Sequence, residues 1–165
     1  CDVNIGSCDV TLWDGEQLHN LTDSPNISAY NLGWSADGRL AFTSAYSAGR
    51  SELLIWDGAA IQRIPQPNNS ILGLASWSAD GQLAFVSCAQ MGTCDLMLWD
   101  GASQRTLMQG LSNTASLDWN DDGQLLFIGC LATNNECDVM LWDGQTVTSL
   151  TYTPQLVEYS AVWLP

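Results

Sequence analysis

The tripeptide Trp-Asp-Gly occurs four times, at Trp13-Asp14-Gly15, Trp56-Asp57-Gly58, Trp99-Asp100-Gly101 and Trp142-Asp143-Gly144, each copy 43 residues after the last. A second tryptophan series, Trp34, Trp77, Trp119 and Trp163, keeps nearly the same spacing, and the two series hold all eight tryptophans. The three phenylalanines, Phe42, Phe85 and Phe127, share one further repeat position; Leu21, Ile64, Leu107 and Leu150 share another. A fixed period of this length specifies stacked copies of one small unit rather than a single irregular core.

Each unit reads as four short strands. The first is "YNLGWS", "LGLASWS", "TASLDWN" or "YSAVWLP". In three copies it runs into a turn carrying Asp37-Gly38, Asp80-Gly81 or Asp122-Gly123, and Asp-Gly between apolar runs is a hairpin signal. The second strand, "RLAFTS", "QLAFVS" or "QLLFIG", alternates apolar and small residues, as a strand with one strongly buried face does. The third ends in Trp-Asp-Gly, where the chain turns into the fourth. The period-2 pattern and the Asp-Gly turns oppose helical repeats of similar length. The fold predicted is all-β: a β-propeller of four-stranded antiparallel blades, about four repeats of ~43 residues, beginning and ending inside a blade. Residues 1–165 form a single propeller or a propeller segment. The repeats run roughly 1–29, 30–71, 72–114 and 115–157, with a final inner strand over 158–165.

The units "WSADGRLAFTSA…SELLIWDG" and "WSADGQLAFVSC…CDLMLWDG" resemble TolB-type propeller repeats, a WD-repeat-like class common in bacterial envelope and secreted proteins. The resemblance covers essentially the whole chain. It implies the fold and is uninformative about activity. Members of the class commonly have proline where this chain has Ala36, Ala79 and Asp121. TolB itself adds a second domain and a defined envelope partner; the present sequence shows no such domain, so that partner does not transfer.

Residues 1–8 match the loop between second and third strands, so the first repeat lacks its two inner strands, and 158–165 supply one more first strand. One second strand is missing from a complete set. Three explanations stand: a segment of a longer propeller, pairing with further copies head to tail into a ring or filament, or a strained four-blade ring. Cys1 is not an initiator methionine, and no signal peptide is visible, which is expected of a processed product or of a piece of something longer.

Six cysteines fall as Cys1 with Cys8, Cys88 with Cys94, and Cys130 with Cys137, each pair flanking the loop between second and third strands. Ser44 and Ser51 stand at the matching places of the second repeat, so both partners are absent together. Local disulfides are therefore expected, and with them an extracellular or cell-envelope location. Metal binding and Cys-x-x-Cys redox chemistry are not supported by these spacings. The acceptor pattern for N-glycosylation occurs at Asn20, Asn26 and Asn68.

Charge narrows the partners. Eighteen acidic residues face four arginines and no lysine, a net charge of -14. Nucleic-acid binding needs a basic footprint, and an anionic membrane surface would repel such a chain. No apolar run is long enough to insert in a membrane as a helix. An acidic surface gives solubility and favours cationic partners or divalent cations.

A search for chemistry gives little. His19 is the only histidine and reads as a surface residue; there is no nucleophile elbow and no phosphate loop. Asp118 and Glu158 lie on predicted inner strands, where paired carboxylates would face a propeller axis, but a surface or turn role explains them as well. The Asp of each Trp-Asp-Gly is read as a turn former, and Asp121-Asp122-Gly123 as a turn rather than a calcium site. The tryptophans suit packing between blades better than stacking on sugars. No catalytic residue, cofactor or metal is expected, and the chain is read as a non-enzyme.

The function expected is a rigid protein-interaction or structural scaffold outside the cell or in its envelope; a subunit that self-assembles through its unfinished blade is the structural rival. Its partners would be other proteins or further copies, chosen by loops 43–51, 87–94 and 129–137 on one rim and 22–29, 65–71 and 109–114 elsewhere. Rival readings are a carbohydrate- or calcium-assisted ligand binder and the propeller domain of a larger secreted hydrolase.

Overall fold

Short apolar runs separated by turn-forming Asp-Gly pairs give short strands paired with their sequence neighbours, and the computed structural model shows this. It describes residues 8–22, 27–46, 51–65, 71–89, 92–134, 136–153 and 158–164, with no helix among them. Strands β1 (Thr11–Trp13) and β2 (Leu18–Asn20) form a two-stranded sheet. Strands β3 (Ile27–Trp34), β4 (Leu40–Tyr46), β5 (Ser51–Trp56) and β6 (Ile61–Ile64) form a four-stranded one. The third sheet has seven strands: β7 (Ile71–Trp77), β8 (Leu83–Cys88), β9 (Cys94–Trp99), β10 (Gln104–Trp119), β11 (Leu125–Leu131), β12 (Cys137–Trp142) and β13 (Val147–Ser149). Every pairing between these strands is antiparallel.

The seven-stranded sheet is two four-stranded units sharing one strand. The first half of β10 pairs with β9 and its second half with β11, the two meeting at Leu111. The expected loop over 109–114 is therefore strand. The other two inter-repeat stretches carry Pro25 and Pro65, which cannot donate to a ladder, whereas 109–114 has no proline. Gly110, at φ +74°, supplies the bend, and fully buried Leu111 anchors it. The first strand of each unit is bulged at an equivalent place, between Tyr30 and Gly33, Leu72 and Ala75, and Ala115 and Leu117. At the last of these Ser116 adopts φ +44°, the one described non-glycine residue with positive φ.

The units stack face on face. Leu83, Phe85, Met97 and Trp99 on one face of β8–β9 pack on Ala41, Leu53, Ile55 and Ile64 of the preceding unit. The opposite face, Ala84, Val86, Leu96 and Leu98, receives Leu125, Phe127, Met140 and Trp142 of the next. Val10 and Leu21, which flank the two-stranded sheet, meet Leu40, Phe42 and Leu54 in the same way. All three phenylalanines are buried to 1% exposure or less. Both faces of a strand are buried when sheets lie on both sides, which accounts for the burial of every residue of β8 and β11 but the last.

Tryptophans tie neighbouring units together. The indole nitrogen of Trp77 donates to the carbonyl of Gly33, that of Trp119 to Ser76, and that of Trp163 to Asp118, at 3.0–3.1 Å. Each acceptor immediately precedes the tryptophan of the unit before. Residues 158–164, expected as an inner strand, form no strand ladder. Side chains hold the segment instead: Asp118 Oδ2 accepts the backbone N–H of Trp163, and Ser116 Oγ that of Ala161.

Candidate interaction rim

Where the second strands end and the third strands begin, chemistry gathers along one edge of the sheets. Cys88 faces Cys94 and Cys130 faces Cys137 in register, and both pairs are disulfide-bonded. Cys8 is also disulfide-bonded, while Cys1 lies outside the described residues. The matching pair in the preceding unit is Ala45 with Ser51, not Ser44 with Ser51: Ser44 pairs with Glu52 and is fully buried. Counting from the loop misplaced this position by one; counting from the phenylalanines places it correctly. Loop residues 47–50 and 90–91 lie outside the described set, as do Asn26 and Asn68. Asn20 is exposed on β2 and its amide nitrogen donates to Asp9.

Next to each of these third-strand cysteines, or Ser51, stands an acid: Asp9, Glu52, Asp95 and Asp138. The sequence reading missed this series, although its 43-residue period was visible. The four carboxylates are met differently. Asp9 accepts from Asn20 and Thr22. Glu52 pairs with Arg63 at 2.9 Å. Asp95 accepts the backbone N–H of Gly110. Among the described residues, Asp138 receives only the Thr151 hydroxyl, at 3.4 Å. An open groove of about 590 Å³ lies beside Asp138, over β11, β12 and β13 of the third four-stranded unit.

The other singled-out residues have structural places. Trp34 and Trp56, Trp77 and Trp99, and Trp119 and Trp142 form edge-to-face pairs with ring centroids 5.7–6.1 Å apart. Arg39 lies over Trp77 and Trp99 and donates to the carbonyl of Gly81, clasping two units. Trp13 is 59% exposed. The Asp of every Trp-Asp-Gly accepts two backbone N–H groups of its own turn, as Asp100 does from Ala102 and Ser103. The following glycine sits at positive φ, +98° at Gly101, which a side chain would strain. His19 bonds to Asp14 in the first of these turns. Asp118 holds Trp163, and Glu158 accepts from Thr153, so each has a partner of its own. Asp121 and Asp122 lie in a turn closed by the N–H of Gly123 to Asn120. Among the described residues, no three His, Cys, Asp or Glu side chains converge as a metal site requires. No described helix is long and apolar enough to cross a membrane, which says nothing of membrane-spanning strands.

The turn hydrogen bonds hold the aspartates below their usual range, and Asp14 and Asp100 down to about 2 from 3.8. A depressed folded-state pKa contributes stability that is present above the unfolded value and lost as pH falls through the folded one. Melting temperature should therefore fall as pH drops from about 4 towards 2. Because protonation elsewhere relieves repulsion in a chain of charge -14, the turn contribution is read by difference. Asp100→Asn should show a shallower decline over that window in calorimetry, and an identical decline would refute the assignment.

No protein-family model matches the chain, and no curated protein matches it. Among solved structures it is similar to TolB from Acinetobacter baumannii, with a TM-score of 0.60 and 19% identity over 84% of this chain and 36% of TolB. It is also similar to a mutant Aleuria aurantia lectin in complex with Fucα1-6GlcNAc, with a TM-score of 0.46 and 13% identity over 97% of this chain and 59% of the lectin. The chain thus spans about a third of the length of TolB. TolB is a β-propeller, and the likeness supports that fold here.

Proposed function

We propose that the chain is a β-propeller array of about four blades that works as a rigid interaction scaffold outside the cell or in its envelope, and that it catalyses no reaction itself. The observation that carries this reading is the rim: two of the connections between second and third strands are closed at their base by disulfides, Cys88–Cys94 and Cys130–Cys137. Pinned loops on a stiff stack suit recognition, since little order remains to be gained on binding. The disulfides favour an oxidising compartment. The side chains nearest to catalytic types, His19, Asp118 and Glu158, support structure instead.

Self-association is a second reading, for which the exposed apolar side chains of Leu150 and Trp34 speak. Ile64 is 1% exposed where a further unit covers it, whereas Leu150 at the same repeat position is 54% exposed. Trp34, first of its series, is 53% exposed. At internal joints another unit of the same kind packs on such positions, as Leu83 and Phe85 do on Ile64. The test is the mass and shape of the native particle, by electron microscopy and mass photometry under non-reducing conditions. Rings or filaments of several chains support self-association, and complexes with other proteins support the scaffold alone. Solitary 17.9-kDa particles would overturn both.

A further inference from the structure

We propose that the groove on the third four-stranded unit is a receptor for an arginine side chain of a partner protein. This rests on the scaffold reading for the source of the arginine and goes beyond it by naming the site and its chemistry.

The argument compares equivalent positions. In each unit the acid at the start of the third strand lies diagonally across from one residue of the fourth strand: Asp9 from Asn20, Glu52 from Arg63, Asp95 from Thr106 and Asp138 from Ser149. The registers that set this are the same, Thr11 with Asn20, Leu54 with Arg63, Met97 with Thr106 and Met140 with Ser149. At Glu52 the chain itself shows what such an acid takes, the guanidinium of Arg63 at 2.9 Å. At Asp138 the corresponding residue is Ser149, whose hydroxyl turns away to the carbonyl of Thr151. Among the described residues that carboxylate has one long hydrogen bond and no cation.

Three replacements open the space. Ser149 stands in place of Arg63. Val147 replaces Gln104, which in the preceding unit reaches across to the carbonyl of Pro65. Gly129 replaces Ser87. The resulting groove sets Asp138 and Thr148 beside the apolar side chains of Met140 and Val147, with Tyr152, 83% exposed, at its mouth.

Those features match one side chain. A guanidinium gives the carboxylate a charge-assisted hydrogen bond, its three-carbon stem covers Met140 and Val147, and its plane stacks on the tyrosine ring. The chain uses the same stacking internally, Arg39 over Trp77 and Arg105 over Trp142. A single carboxylate among apolar walls is a poor cage for calcium, which wants six to eight oxygens. The net charge of -14 draws a cationic partner in.

The test is an NMR titration of the isotope-labelled chain with Nα-acetyl-arginine methylamide, its neutral citrulline counterpart and glucose. The arginine amide should give saturable shifts at Gly129, Asp138 and Ser149, with the citrulline amide about tenfold weaker or more. Asp138→Asn should weaken the arginine amide by a similar factor. Ser149→Arg should fill the groove from within and abolish the response while leaving the rest of the spectrum intact. Equal binding of arginine and citrulline amides, binding that survives Ser149→Arg, saturation by glucose instead, or no saturable shift at all would each overturn the site. Saturable binding at the groove by a protein whose native particle is solitary would keep the site and reject the scaffold.

Discussion

Phe85→Ala is expected to lower the free energy of unfolding by about 3–5 kcal/mol, the range for deleting a fully buried aromatic ring. Phe85 is 1% exposed and sits between two units, against Leu53 and Ile55 on one side and Met97 on its own. Its loss removes transfer energy, leaves a cavity, and loosens the joint between β3–β6 and β7–β9. Stability in a stacked array is roughly a sum of unit and joint terms, so weakening one joint also erodes cooperativity. Denaturant unfolding followed by tryptophan fluorescence and by far-UV circular dichroism should then give transitions that no longer coincide. Ile61→Ala, at a position 40% exposed, is the control and should cost less than about 1 kcal/mol. A Phe85→Ala protein as stable as that control would mean that the units do not pack as described.

The second large effect is a gain. Ala45→Cys combined with Ser51→Cys should create a bridge where the array lacks one. The two residues face each other in the register that Cys88–Cys94 and Cys130–Cys137 use. Closing so short a loop is worth about 2 kcal/mol in the chain-entropy description. In a protein of this length that corresponds to a rise in Tm of roughly 4–8 °C, lost on reduction. The companion Ser44→Cys with Ser51→Cys should not oxidise, because residue 44 points to the other face of β4. Mass spectrometry of the alkylated proteins separates the two outcomes. Oxidation of the second pair and not the first would show the register to be wrong by one.

That pair also shows where sequence reading reached its limit. The aromatic periods and Asp-Gly turns were legible because they are obligatory: a buried ring or a positive-φ glycine has few substitutes, so it recurs in every unit. Loop lengths are free, and a register carried through a loop slipped at Ser44. The strand over 109–114 was read as a loop because a polar, glycine-containing linker looks alike whether or not it joins a ladder. The absence of proline was the available signal. The acid series was visible in spacing, yet carboxylates in so acidic a chain read as solvated surface. The groove at Asp138 could not be read at all, since it depends on which residues are small at 129, 147 and 149 relative to their counterparts.

The tryptophan ladder has a consequence for how such an array diverges. Its acceptor is a backbone carbonyl, which every amino acid carries. Gly33, Ser76 and Asp118 therefore fill one position with three unlike side chains and hold the next indole equally well. Mutation at that site is uncoupled from cohesion, so duplicated units can drift there without loosening from their neighbours. Asp118 illustrates that freedom: its side chain accepts a second bond, from the N–H of Trp163, beside the one its carbonyl takes from the indole.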